Sequence, residues 1–387
     1  MPTTSNTGRI SSMDALRALA MFLGLVLHAS MAFMQSPFEG FYHVPDYSSQ
    51  AFDAVFFGIH IFRMQLFYVI AGFFFRLLYY RIGTTAFMKH RTQRILVPLL
   101  VGLFTILPLT YLPAVFYRVT DGGTHFTLAD SRLIIHDIFI WRGPLHLWFL
   151  YYLMMFYIIG LGIRQWGLYI IQKIKWLDSF VKSLSKPAII LPLLAFGSFI
   201  TLLLFSTITV EYAPGLIPKP SFMAYYGLFF FAGWLLHEYM GTWFPLLRRY
   251  SLLFVMLGTA SGIYLFRLLQ AGNDATTPML WLKALATLTT LSLVIGLMGV
   301  FLKWVNAENA TVRYLSDASY WVYLVHVALV NATQLCLGQL SIPGSLKFML
   351  CVIIPLGISL FTYQWFVRYT VVGYYLHGSR KKKSVTV

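Results

Sequence analysis

The sequence predicts an all-α polytopic membrane protein with about ten transmembrane helices and both termini cytoplasmic. Three observations predict it. The 387 residues are 58% hydrophobic and only 11% charged, whereas an ordinary soluble domain carries about 25% charged residues. Apolar stretches close to the ~20 residues that cross a bilayer recur from end to end, separated by short polar connectors. Lys and Arg concentrate on alternate connectors, the bias that marks cytoplasmic loops.

The expected helices are 13–35, 54–79, 95–117, 144–166, 188–209, 221–240, 251–270, 278–304, 318–337 and 346–370. With the N-terminus inside, the inner connectors hold Arg76, Arg81, Lys89, Arg91 and Arg94, then Arg164, Lys173, Lys175, Lys182 and Lys186. They continue with Arg248 and Arg249, then Lys303 and Arg313, and the tail adds "RKKK" at 380–383. The outer connector 36–53 has no Lys or Arg, and the others hold only Arg118, Arg132, Arg142, Lys219, Arg267 and Lys347. The net charge of +16 thus follows topology, so the expected partner is the lipid bilayer and not nucleic acid. One membrane domain, 1–375, and a basic cytoplasmic tail, 376–387, account for the chain. Cys336 and Cys351 lie in apolar segments, which suits neither a disulfide framework nor a metal site.

The first helix contains "MDALRALAMFLGLVLHAS". A cleaved signal peptide competes for this stretch, with Arg9 as its basic region and "SMA" at 30–32 as its cleavage site, but Asp14 interrupts it and the apolar run continues past His28. At 100° per residue, Asp14, Arg17, Gly24 and His28 share one stripe. His28 lies ~16 Å beyond Arg17 along the axis, so the stripe runs from the inner leaflet toward the outer one. Gly24 leaves room there for another backbone or an extended ligand. Arg17 suits a snorkelling role as well as a functional one, and Asp14 suits an N-cap or a partner for Arg17. An imidazole in the outer half of an apolar helix is costly to insert, which points to function for His28.

The second helix places His60 and Arg63 three apart on one face, with Arg63 too deep to snorkel, so it needs a carboxylate or an anionic ligand. Gln65 faces another way. His146 and Trp148 open the fourth helix after Pro144, Trp148 also fitting an interfacial anchor. Ser319, Tyr323 and His326 form an i, i+4, i+7 stripe on the ninth helix that suits either helix packing or chemistry. Arg91 and Arg94, with Lys89 and His90 beside them, can hold phosphates at the inner surface. A basic site on one face and a histidine-rich site nearer the other could be joined by one reaction.

These residues resemble acyltransferase family 3, a family of integral-membrane O-acyltransferases. The resemblance rests on Arg17 and His28 separated by ten residues, on Arg91-Thr92-Gln93-Arg94, and on "YWVYLVH" at 320–326. "HIFRMQLFYVIAGFF", "RTQRILVP" and "HLWFL" are most similar to the branch implicated in succinylating osmoregulated periplasmic glucans. Val327 and Ala328 follow His326 where that motif commonly continues to a proline.

The resemblance implies a multi-pass enzyme of the bacterial inner membrane. It moves an acyl group from cytoplasmic acyl-CoA, succinyl-CoA or acetyl-CoA, to a hydroxyl of an extracytoplasmic glycan, a periplasmic glucan or another envelope polysaccharide. No metal is expected. His28 becomes the expected general base. Arg63, with Asp14 and His326, joins the catalytic group, Arg63 stabilising the oxyanion or pairing with a succinyl carboxylate. Arg17, Arg91 and Arg94 would bind the CoA phosphates. His60, Gln65, His146, Trp148, Ser319 and Tyr323 would line the substrate site. An acyl-enzyme on His28 or Ser319 is the alternative route, and a transporter or flippase for a glycan or anionic small molecule is the alternative function.

Overall fold

A computed structural model of the chain describes residues 10–38, 42–120, 126–167, 183, 186–210, 215–271, 278–305, 309–378 and 380. Lys173, Lys175, Lys182 and Lys381–Lys383, which the charge topology used, and Arg9 of the signal-peptide reading lie outside the described residues. Among the described residues there are helices and turns and no strand. Seven helical stretches are long and apolar enough to cross a membrane by length and composition.

Helix α1 (Ser11–Ser30) continues through a tight turn, Met31–Phe33. Helix α2 (Gln50–Arg91) starts where the Ser49 hydroxyl accepts from the Ala51 N–H, and it is two helices merged at Gly83, whose φ of 75° only glycine adopts readily. The expected span 95–117 is bent: a wide turn at Thr92–Leu96 leads to α3 (Val97–Phe104), and Thr105 separates it from α4 (Ile106–Val119). Pro108 explains the break, because it has no N–H for the Phe104 carbonyl one turn earlier. Helix α5 (Leu128–Ile138) was not expected; a reciprocal capping box between Thr127 and Asp130 starts it.

Then follow α6 (Trp148–Gly162), α7 (Pro187–Leu202), α8 (Pro220–Glu238), α9 (Met240–Gln270), α10 (Met279–Trp304), α11 (Ala310–Gly338), α12 (Gly344–Thr362) and α13 (Val371–His377). Each of the ten expected segments is helical over most of its described length. One apolar stretch, Gln50–Val119, contains two of them, and α7 is shorter than a full span.

The bundle is centred on α1, which packs against α2, α10, α11 and α12. That central place buries its polar stripe in protein, where ionisable groups at membrane depth are tolerated. Helix α9 packs on α10 and leaves Leu253, Met256 and Ile263 exposed, as a lipid-facing helix requires. Cys336 is exposed and Cys351 buried, and both are free thiols.

Helices α2 and α8 cross at bare backbone. A Cβ on Gly72 would overlap the Phe230 carbonyl, and one on Gly233 would overlap the Val69 carbonyl, so each helix supplies the hollow for the other. This crossing fixes the height of α2, and with it His60 and Arg63. Gly72→Ala is expected to destabilise the protein by about 1–3 kcal/mol, the usual overpacking cost where backbone cannot yield. Thermal unfolding in detergent measures it, and an unchanged midpoint would refute the packing argument.

Candidate functional site

Helices α1, α2 and α11 and the turn before α6 bring together a cluster of basic side chains at the His28 end of α1. The His28 ring lies 5.3 Å from that of His326, and His326 lies 5.3 Å from His146, so three imidazoles form a chain. Gly24, one turn below His28, supplies the gap. Its occupant is neither a backbone nor a ligand: a Cβ there would overlap the Arg63 guanidinium and lie 3.7 Å from His326 Nε2. His60, Arg63 and His146 are all within electrostatic reach of His28.

The surroundings commit two of the imidazoles. His326 Nδ1 is 2.7 Å from the Tyr323 carbonyl, and His146 Nε2 is 3.0 Å from the Leu324 carbonyl. A carbonyl only accepts, so each of those nitrogens carries the proton, and His326 Nε2 and His146 Nδ1 have no hydrogen-bond partner. The Tyr323 hydroxyl donates to the His146 carbonyl at 2.6 Å, locking the turn before α6 against α11. Thr290 on α10 donates to the Ile61 carbonyl at 2.8 Å, holding the turn of α2 that carries His60 and Arg63.

His146 and His326 are closed off, 8% and 1% exposed, whereas His28, His60 and Arg63 keep accessible surface. Among the described residues Arg63 makes no ion pair, and its Nε has no hydrogen-bond partner. Its neighbours are the Tyr226 and Tyr323 rings and the imidazoles. A guanidinium held this way at membrane depth is poised for an anion or a developing negative charge.

At the Arg17 end of α1 the same bundle opens into a cavity of about 360 Å³. Its mouth carries Arg17, Arg81, His90, Arg91, Arg94 and Arg380, with Asp14 and Asp317 as its acidic residues. Arg17 pairs with Asp14 at 3.1 Å, and the Ser316 hydroxyl donates to the Asp14 carbonyl. Arg91 lies over the Tyr157 ring at 4.9 Å, and the Tyr320 hydroxyl donates to the Arg94 carbonyl at 2.9 Å. The deep wall is apolar and includes Met21, Phe67 and Phe149. Met21 is three residues from Gly24, Phe67 four from Arg63 and Tyr320 three from Tyr323. The cavity therefore ends about one turn, ~5 Å, below the basic cluster.

The structure brings His28, Arg63, His146, His326 and Tyr323 together, with His60 stacked on Phe56 at their edge. Trp148 packs against Phe222 and Tyr226. Three other expected site residues lie apart from this cluster or have hydrogen-bond partners of their own. Asp14 sits with Arg17 in the cavity, ~20 Å along α1 from His28. Gln65 is buried and donates to the Tyr225 hydroxyl, so its amide serves the contact with α8. Ser319 is buried and donates its hydroxyl to the Ser316 carbonyl of its own helix.

Arg81, Asp317, His377 and Arg380 of the cavity were missed as site residues, Arg81 being read as a connector charge and Arg380 as a tail charge alone. The one signal was the return of a basic residue after the last apolar segment, and only the fold brings it beside Arg94.

The model for acyltransferase family 3, described as an acyltransferase domain, matches residues 10–364. Glucans biosynthesis protein C of Salmonella schwarzengrund (strain CVM19633) is 25% identical over 377 residues, covering 95% of this chain and 94% of that protein. Glucans biosynthesis protein C of Salmonella heidelberg (strain SL476) matches with the same identity and coverage, and that of Salmonella agona (strain SL483) is 25% identical over 388 residues. No solved structure matches the chain. A family model that spans nearly the whole helical bundle, including Arg17, Arg81, Arg91 and Arg94 of the cavity and the histidine cluster, places the chain in acyltransferase family 3 as a membrane acyltransferase.

Proposed function

We propose that this acyltransferase takes a succinyl or acetyl group from cytoplasmic acyl-CoA and transfers it to a hydroxyl of an extracytoplasmic glycan, a periplasmic glucan. One observation carries the reading: a cationic cavity ends one helical turn short of an arginine and histidine cluster that contains no carboxylate. Ten spans with both termini cytoplasmic, in the bacterial inner membrane, would put the cavity mouth inside and the cluster toward the periplasm. The name of the glucans biosynthesis relatives supports the acceptor.

In this reading Arg17, Arg91 and Arg94 hold the CoA phosphates, for which guanidinium forks are suited. The thioester arm follows the apolar wall past Phe67 toward Arg63. Neutral His28 takes the proton of the acceptor hydroxyl as its oxygen attacks the thioester carbonyl, and then returns the proton to the departing thiolate. Arg63 stabilises the negative oxygen that forms at that carbonyl. His146 and His326, fixed by backbone carbonyls, hold the cluster around His28. Tyr323 locks it, and His60 and Trp148 face the acceptor.

Proteoliposomes test this. With acyl-CoA enclosed on the Arg17 side and glucan outside, mass spectrometry is expected to find glucan heavier by whole succinyl or acetyl groups. Glucan of unchanged mass with both donors would overturn the proposal.

A further inference from the structure

One wall of the cavity lies outside the family match. The match ends at residue 364, yet Leu376, His377 and Arg380 line the cavity. Two glycines bring them there. Gly373 sits against the Val367 carbonyl, where a Cβ has no room, and Gly378, at φ 88°, lies against the guanidinium of Arg94. The short helix α13 is thereby folded back across the Arg17 end of the bundle.

Arg380 donates to Asp317 of α11 at 2.7 Å. Around the same cavity, Arg380 Nε, Arg91 Nε, His90 Nδ1 and His377 Nε2 are buried without a hydrogen-bond partner. Buried polar atoms are nearly always paired, so four exceptions on one cavity point to a polar ligand. Their arginine content points to a multiply charged phosphate. Arg91 and Arg94 make no ion pair among the described residues, whereas Arg380 is parked on a carboxylate.

We propose that Val371–Gly378 and Arg380 form a clasp over the phosphates of the donor, with Arg380 exchanging Asp317 for a phosphate oxygen when the donor binds. The proposal rests on the acyl-CoA reading above and assigns to it residues that the family match does not contain.

Calorimetric titration of the protein in nanodiscs with CoA tests the clasp, with phosphate-free pantetheine as the control for a damaged fold. Arg380→Gln is expected to weaken CoA about tenfold and leave pantetheine unchanged, and Arg380→Lys to weaken CoA less, because the charge stays while the fork is lost. Asp317→Asn is expected to tighten CoA by removing the competing carboxylate. Equal CoA affinity for wild type and Arg380→Gln, an equal loss for CoA and pantetheine, or weaker CoA binding by Asp317→Asn would each overturn the clasp. Wild-type protein that binds no CoA would overturn the donor reading, and the clasp with it.

Discussion

Acyl transfer by the His28→Ala protein is expected to fall by about 10²–10⁴, the usual loss when a positioned general base is removed. The choice among three adjacent imidazoles is made by their surroundings. His146 and His326 each spend a ring N–H on a carbonyl of α11 and are buried, whereas His28 keeps accessible surface. Substituting His28 does not loosen its helix, because Gln334 donates to the carbonyls of His28 and Ala29 irrespective of the side chain. The loss would therefore be one of chemistry and not of folding. Donor consumption and glucan mass in proteoliposomes, normalised to inserted protein, measure it. Transfer at the wild-type rate would remove His28 as the base. The same substitution at His326 is expected to cost less, since that ring is buried and its N–H is committed to the Tyr323 carbonyl.

What the sequence made legible was what depends on local periodicity. Arg17, Gly24 and His28 share a face of α1 because helix geometry is fixed by residue spacing, and composition alone places that helix in a membrane bundle. The gap at Gly24 was equally visible, but its occupant was not. Arg63 comes from another helix at a height set by the crossing of Gly72 and Gly233, and no local pattern encodes that height. Charges misled wherever the fold buried them. Lys347 was counted as an outer connector charge, yet it is fully buried, donating to the Gly338 carbonyl and lying over the Tyr47 ring at 3.7 Å. Asp14 shares the stripe of His28, but a stripe specifies direction around a helix and not distance along it. Its salt bridge with Arg17 lies at the cavity end of α1, away from the histidine cluster.

Arg63→Gln is expected to lower transfer by about 10²–10³, the cost of removing one preorganised donor from a developing oxyanion. Arg63→Lys should fall nearly as far, because an ammonium cannot reproduce the planar fork that Gly24 admits. Gly24→Ala reaches the same guanidinium without touching its charge. The new methyl would push aside only the far end of a flexible side chain, so the helix should stay packed while transfer falls. Comparing donors separates the two roles open to Arg63. If it stabilises the oxyanion, Arg63→Gln depresses transfer from acetyl-CoA and succinyl-CoA alike, since both thioesters develop the same charge at the carbonyl oxygen. If it pairs with the succinyl carboxylate, the loss falls on succinyl-CoA and acetyl transfer survives. Wild-type rates with both donors would leave this guanidinium with no part in the reaction, and the energetic cost of placing it at membrane depth would then have to be met by packing alone.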